Sequence, residues 1–179
     1  MRTLILILLL FLIPCVSYST DTGYLNPSAA SGTNWTTPTN VYSSNNAYAS
    51  YTGTTQDVLF ISSYGASIPA GSVIDSLHIR FESYSVGLPL ARRVYLQFLK
   101  AGVQYGSADY YAMPTVEAID DTYKYALATL GLSYTPAEIN ASGFGIALWD
   151  YNTTASDLNA DHVAIKIVYT PPASYPQIF

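Results

Sequence analysis

The segment 73–84 is the strongest constraint on what this chain can fold into. Leu77, Ile79 and Phe81 alternate with His78, Arg80 and Glu82, the period of a strand with one dry face and one wet face. Just before it, Ile68-Pro69-Ala70-Gly71 reads as a corner. Pro69 fixes its own φ there, and Gly71 offers a left-handed position for a turn. A strand with one apolar face needs other strands to cover it, and the rest of the chain reads as those strands.

Residues 20–57 are polar, with no helical period and short extended pieces around Trp35 and over 41–51. They read either as the first strand of the fold or as an arm reaching toward a neighbouring copy. The apolar run 58–61 is expected to be a buried strand. After 73–84, Gly87, Leu88 and Pro89 mark a turn. Arg93–Lys100 then sets Val94, Leu96 and Phe98 against Tyr95, Gln97 and Leu99, and Ala101-Gly102 closes it. Residues 103–122 read as one strand and a loop, and 123–130 as a further strand ended by Gly131. Thr135, Pro136 and Glu138 have the spacing of an N-cap, a first-turn proline and a capping-box acid, so a short helix is expected over 136–141. Phe144, Ile146 and Leu148 define the buried face of the next strand, and a polar loop is expected over 150–161. The last strand, 162–169, sets Val163, Ile165, Ile167 and Tyr169 against His162, Ala164, Lys166 and Val168. Pro171-Pro172 then stops the pairing. Roughly seven to nine short strands, one short helix and no repeat predict an all-β fold, a single antiparallel β-sandwich. Lipid-facing strands of about ten residues with aromatic girdles are not visible.

Residues 1–19 read as a signal peptide: Arg2 is the positive end, 4–13 is an unbroken apolar run, and Ser17 and Ser19 form a small-x-small cleavage site. The run is too short to span a bilayer. Signal-anchor and lipoprotein readings through this segment are weakened by Pro14, which ends the run and sits where a lipobox wants a small residue. Removing nineteen of the 179 residues leaves 160, enough for one domain with a sizeable core. Cys15, the only cysteine, leaves with the leader, so no disulfide is expected in the product. Loss of Arg2 moves the net charge from −5 to −6, a sign that disfavours nucleic acid in the absence of a basic patch. The expected organisation is leader 1–19, extended arm 20–34, sandwich 35–170 and tail 171–179.

Charged residues are scarce, and Ser, Thr, Asn, Gly and seventeen Tyr are abundant. Such a surface stays soluble through hydroxyls and amides, as extracellular wall, filament and fibre proteins do. The residue order from Ile68 to Asp75, the strand closing in Lys100-Ala101-Gly102, the run from Thr135 to Asn140 before Gly143-Phe144-Gly145-Ile146, and the final Ile165-Lys166-Ile167-Val168-Tyr169-Thr170 resemble a group of jelly-roll-like β-sandwich domains. These occur in phage tail and virion surface proteins and in exported prokaryotic surface or filament proteins. The resemblance covers about residues 35–170, with Asn40-Val41-Tyr42 and 47–50 as an Asn-rich entry segment, and it implies a fold far more than an activity. Leu130-Gly131 stands where related domains often have Trp-Gly, and the leader departs from the phage examples.

No nucleophile, zinc or P-loop motif is present. His78 and His162 fall on the polar parity of their strands and are expected at the surface. Glu82 and Glu117 carry no sequence context that marks a glycosidase pair. For metal, Asp157, Asn159 and Asp161 have the alternating oxygens that begin a calcium loop, with Asp120-Asp121 as further carboxylates. The full EF-hand pattern fails at His162 and Val168, and a polar hairpin loop competes with it. No cofactor is expected apart from this candidate calcium. Trp35 and Trp149 could stack sugar rings, against ordinary Tyr-rich strand pairing. Sequons place potential glycans at Asn34, Asn140 and Asn152. The preferred expectation is a non-enzymatic, secreted structural protein whose partners are other copies of itself. Tyr24 and Leu25 near one end, or Tyr175, Ile178 and Phe179 at the other, would add a strand to a neighbour's open edge. The competing expectation is a secreted carbohydrate-binding module with glycan partners.

Overall fold

The computed structural model describes residues 18–53, 56–86, 93–150 and 156–173, without the side chains of 119–124 and 156. The leader to Ser17, the turn at Gly87, the sequon asparagine Asn152 and the tail residues Tyr175, Ile178 and Phe179 lie outside the described residues, as do the side chains of Asp120 and Asp121.

Among the described residues, ten strands form two sheets. In chain order they are β1 (Thr20–Leu25), β2 (Ala29–Ser31), β3 (Ala49–Gly53), β4 (Val58–Ser62), β5 (Val73–Val86), β6 (Arg93–Lys100), β7 (Val103–Ala112), β8 (Ala118–Ala126), β9 (Gly145–Asp150) and β10 (Ser156–Thr170). The first sheet runs β1-β10-β5-β8, with β3 also on β10, and the second runs β2-β4-β9-β6-β7. Every pairing is antiparallel. Counted from β3 to β10, the first, eighth, third and sixth strands form one sheet and the second, seventh, fourth and fifth the other. That is the strand order of a jelly-roll β-sandwich. β1 and β2 add one strand to each sheet.

The two apolar faces meet as the alternation requires. Leu77, Ile79 and Phe81 of β5 and Val163, Ile165 and Ile167 of β10 face Leu59 and Ile61 of β4, Leu96 and Phe98 of β6, and Ile146 and Leu148 of β9 in one buried cluster. Burying a side chain of this kind contributes about 1.5–3 kcal/mol, and many such contributions stand in for the missing disulfides. The corner ahead of β5 forms as expected. Ser72 N–H donates to the Pro69 carbonyl at 3.2 Å, and Gly71 has φ +82°. Asn140, the last residue of helix α1 (Pro136–Asn140), clamps this corner by accepting from Ile68 N–H at 2.8 Å and donating to its carbonyl at 2.9 Å. The helix starts on the expected capping box, Thr135 with Glu138.

Three sequence expectations are corrected. Residues 156–161, expected in a polar loop, are the first part of β10 and pair with both β3 and β5. Their polar alternation belongs to a strand whose polar face is covered by other parts of the chain, and Ser50 and Thr52 of β3 supply hydroxyls that pair with it. The strand expected over 123–130 is instead β8, which begins at Ala118, followed by a 3-10 turn at Leu127–Leu130. Gly131, at φ +65°, ends that turn. Residues 20–25 and 29–31 are not a free arm. Tyr24 and Leu25 pair within the chain with Lys166 and Ile165 of β10, the first-strand alternative weighed for this region.

Candidate functional site

One feature of β10 re-aims its side chains. Leu158 and Ala160 face the core, and so do Val163 and Ile165. The change of parity falls at a bulge between Ala160 and His162 in the pairing with β5. A bulge turns two neighbouring residues toward the same side, so Asp161 and His162 both leave the core face. On β5, Glu82 lies opposite His162. β1 and β3 flank β10 on one side, and Tyr42 alone bridges to His162 between them. The segment that follows Tyr42 folds over this spot before β3 begins.

Asp161, with no solvent exposure, is held by that segment. Its Oδ2 accepts from the backbone N–H groups of Asn45 and Asn46, each at 3.0 Å. Glu117, from the segment between β7 and β8, is half-buried. Its Oε1 accepts from the Tyr48 hydroxyl at 2.8 Å, and this bond, helped by burial, pushes the Tyr48 pKa up to about 12. Tyr48 packs edge-on against Tyr84 with ring centroids 5.0 Å apart. Glu82 is only 6% exposed, and its Oε2 has no hydrogen-bond partner. One carboxylate oxygen from each of Glu82, Glu117 and Asp161 lies within 4.8 Å of the others. Four separate chain segments therefore converge on three acids. His162, only 8% exposed, is bonded to Asn26 at 2.9 Å. Burial lowers its pKa, against the opposing pull of Glu82 and Asp161.

The expected calcium loop at Asp157, Asn159 and Asp161 does not form. Along a strand these residues are spread over roughly 13 Å, and each has its own partner. Asp157 accepts from Thr52 at 2.7 Å and Asn159 from Ser50 at 2.8 Å, leaving only Asp161 in the acidic cluster. His78 is half-buried, while His162 is buried, because the extra chain over β10 covers a face that alternation alone would leave wet. Glu82 and Glu117 do come together. Sequence spacing gave no sign of it, since 34 intervening residues (83–116) separate them.

Trp35 is not available to a sugar. It is 5% exposed and packs on Tyr51 at 5.5 Å, so this candidate is a core residue. Trp149 is different. It lies on the outer face of the second sheet in a cross-strand row, Val58 opposite Trp149, Trp149 opposite Tyr95, and Tyr95 opposite Tyr110. Trp149 stacks on Tyr95 at 5.2 Å, and Arg93 caps the Tyr110 ring at 4.8 Å. Next to Val58 opens a cleft of about 550 Å³ lined by Ser31, Gly32, Thr33, Gln56, Asp57 and Phe60. Asn34 is exposed, as a glycan acceptor must be. Asn140 is exposed too, but its amide is engaged in the Ile68 clamp.

Tyr24 is gripped between two cations, Arg80 at 4.1 Å and Lys166 at 5.1 Å from its ring centre. Each such contact is worth about 0.5–1 kcal/mol, which fastens β1 to its own sheet. The other ends of the two sheets are β8 and β7. Among the described residues β7 pairs only with β6, and β8 only with β5. β7 carries Val103 and Tyr110 in exposed positions, and a bulge opposite Leu96 and Phe98 divides it. Among the described residues no helix is long and apolar enough to cross a membrane. No protein-family model matches the chain, no curated protein matches it, and no solved structure matches it.

Proposed function

We propose that this chain is an exported, non-enzymatic β-sandwich that builds an extracellular filament or surface coat through strand contacts between copies. The observation that carries the reading is β7, a ten-residue strand hydrogen-bonded on one side only among the described residues. Such an edge is a template for a strand from another chain. Its bulge divides it into two stretches paired to β6, 103–105 and 109–112, on either side of the break. A head-to-tail contact on that edge does not close and so propagates. The leader-like 1–19 segment and the low-charge, hydroxyl-rich composition support export. A non-enzymatic role is supported by the burial of Glu82, which no sugar could flank together with Glu117. The test places lysines at Ala108 and Ala112, both exposed on β7. The reading expects the variant to fold as before and to form no higher assembly. Assembly equal to that of the unmodified protein would overturn it.

The row of Trp149, Tyr95 and Tyr110 beside the 31–33 cleft favours a second reading, recognition of a glycan on the outer face of the β4–β9–β6–β7 sheet. Trp149 and Tyr95 stack on one another, so a sugar would approach the outer ring face of Trp149 or the exposed Tyr110. A glycan array bound by the protein but not by its Trp149→Ala variant would support this reading, and an array with no binding would remove it.

A further inference from the structure

We propose that Glu82, Glu117 and Asp161 form a binding site for one divalent cation of the calcium class. Their carboxylate oxygens, within 4.8 Å of one another, fit a single coordination shell. Ligands at 2.3–2.6 Å from calcium lie no more than about 5 Å apart across the ion. A magnesium shell at about 2.1 Å allows only about 4.2 Å, so the larger ion fits without closing the cluster. The donors are all carboxylate oxygens, the set that hard cations select.

The cluster alone would not carry this assignment; the state of Glu82 does. Its side chain is only 6% exposed, and its Oε2 is buried with no hydrogen-bond partner. Burying a carboxylate oxygen beside two other acids without a hydrogen-bond partner is costly. A cation seated among the three removes that cost. The surroundings are prepared for an anionic cage around an ion. Asn45 and Asn46 aim two N–H groups at Asp161, and Tyr48 donates to Glu117, so two of the three carboxylates are already oriented. The remaining ligands of a six- to eight-fold shell would be waters or backbone carbonyls. The site uses no residue of β7 and does not depend on the assembly reading.

The ion would tie β5, β10, the segment after Tyr42 and the segment before β8 together at one point. This gives the disulfide-free sandwich a staple of the kind that small exported folds use. Terbium is the direct probe, because it substitutes for calcium and its emission is excited through nearby tyrosines, here Tyr48 and Tyr84. Titrating purified, chelator-treated protein with terbium chloride should give sensitised emission saturating at one ion per chain. Calcium chloride should reverse the emission and raise the melting temperature. Glu82→Gln and the less buried Glu117→Gln should each weaken terbium binding by about tenfold or more, while Asp157→Asn leaves it unchanged. Absence of emission at millimolar terbium would overturn the proposal. So would binding that survives both glutamate variants in folded protein, or binding lost in Asp157→Asn.

Discussion

At the scale of single residues, burial decides what each polar group is used for. Glu138 closes the capping box of α1 by accepting from Thr135 N–H at 2.9 Å. It also pairs with Lys100 at 2.9 Å. The Thr135 bond first, then Lys100, hold its pKa below the ordinary 4.5. A carboxylate depressed in the folded state stabilises the protein above its unfolded value, and that share is lost as pH falls through the folded value. Glu138→Gln should therefore melt slightly lower than the unmodified protein at neutral pH, with the gap narrowing as pH falls below 4.5. Thermal melts across that range check it, and a gap independent of pH would show the charge to be irrelevant. The same scale explains why the histidines read differently from their alternation. Parity placed both on outer faces, which holds, but it could not show that chain from another part of the sequence covers His162.

At the scale of elements, the jelly roll depends on strands passing close where no side chain fits. Gly145 opens β9 between β4 and β6, and a Cβ there would run into the Ile61 carbonyl of β4. Gly145→Ala should destabilise the protein by about 1–3 kcal/mol or more, the usual cost of overpacking. Chemical denaturation measures it, and an unchanged midpoint would show that the two central strands can separate at little cost. Most elements were legible in the sequence because their cues are local. Period-two alternation gave β5 and β6, and Thr135-Pro136-Ala137-Glu138 gave α1. Local cues failed where partners are distant. Polar residues at 156–161 looked like a loop because their hydroxyl partners, Ser50 and Thr52, come from β3. The acidic cluster was hidden for the same reason, since its three acids reach one point only through the sheet order and the bulge at Asp161.

At the scale of the whole molecule, β1 and β2 end the two sheets on one side, and β8 and β7 end them on the other. Tyr24, held by Arg80 and Lys166, makes the first strand part of its own sheet, so strand donation from that end would require breaking contacts already made. β7, paired on one side only among the described residues, is the acceptor the assembly reading needs. Deleting residues 1–19 should leave the folded state intact, because the first residues described as packing on the core or buried are Leu25 and Pro27. Circular dichroism and a melt of the trimmed chain check this; loss of the folded spectrum would contradict it. Light scattering on that trimmed protein over rising concentration, with calcium and with chelator, is the most direct test of the central claim. The account predicts a mass that grows with concentration into open-ended particles, and a constant monomer mass in both conditions would contradict it.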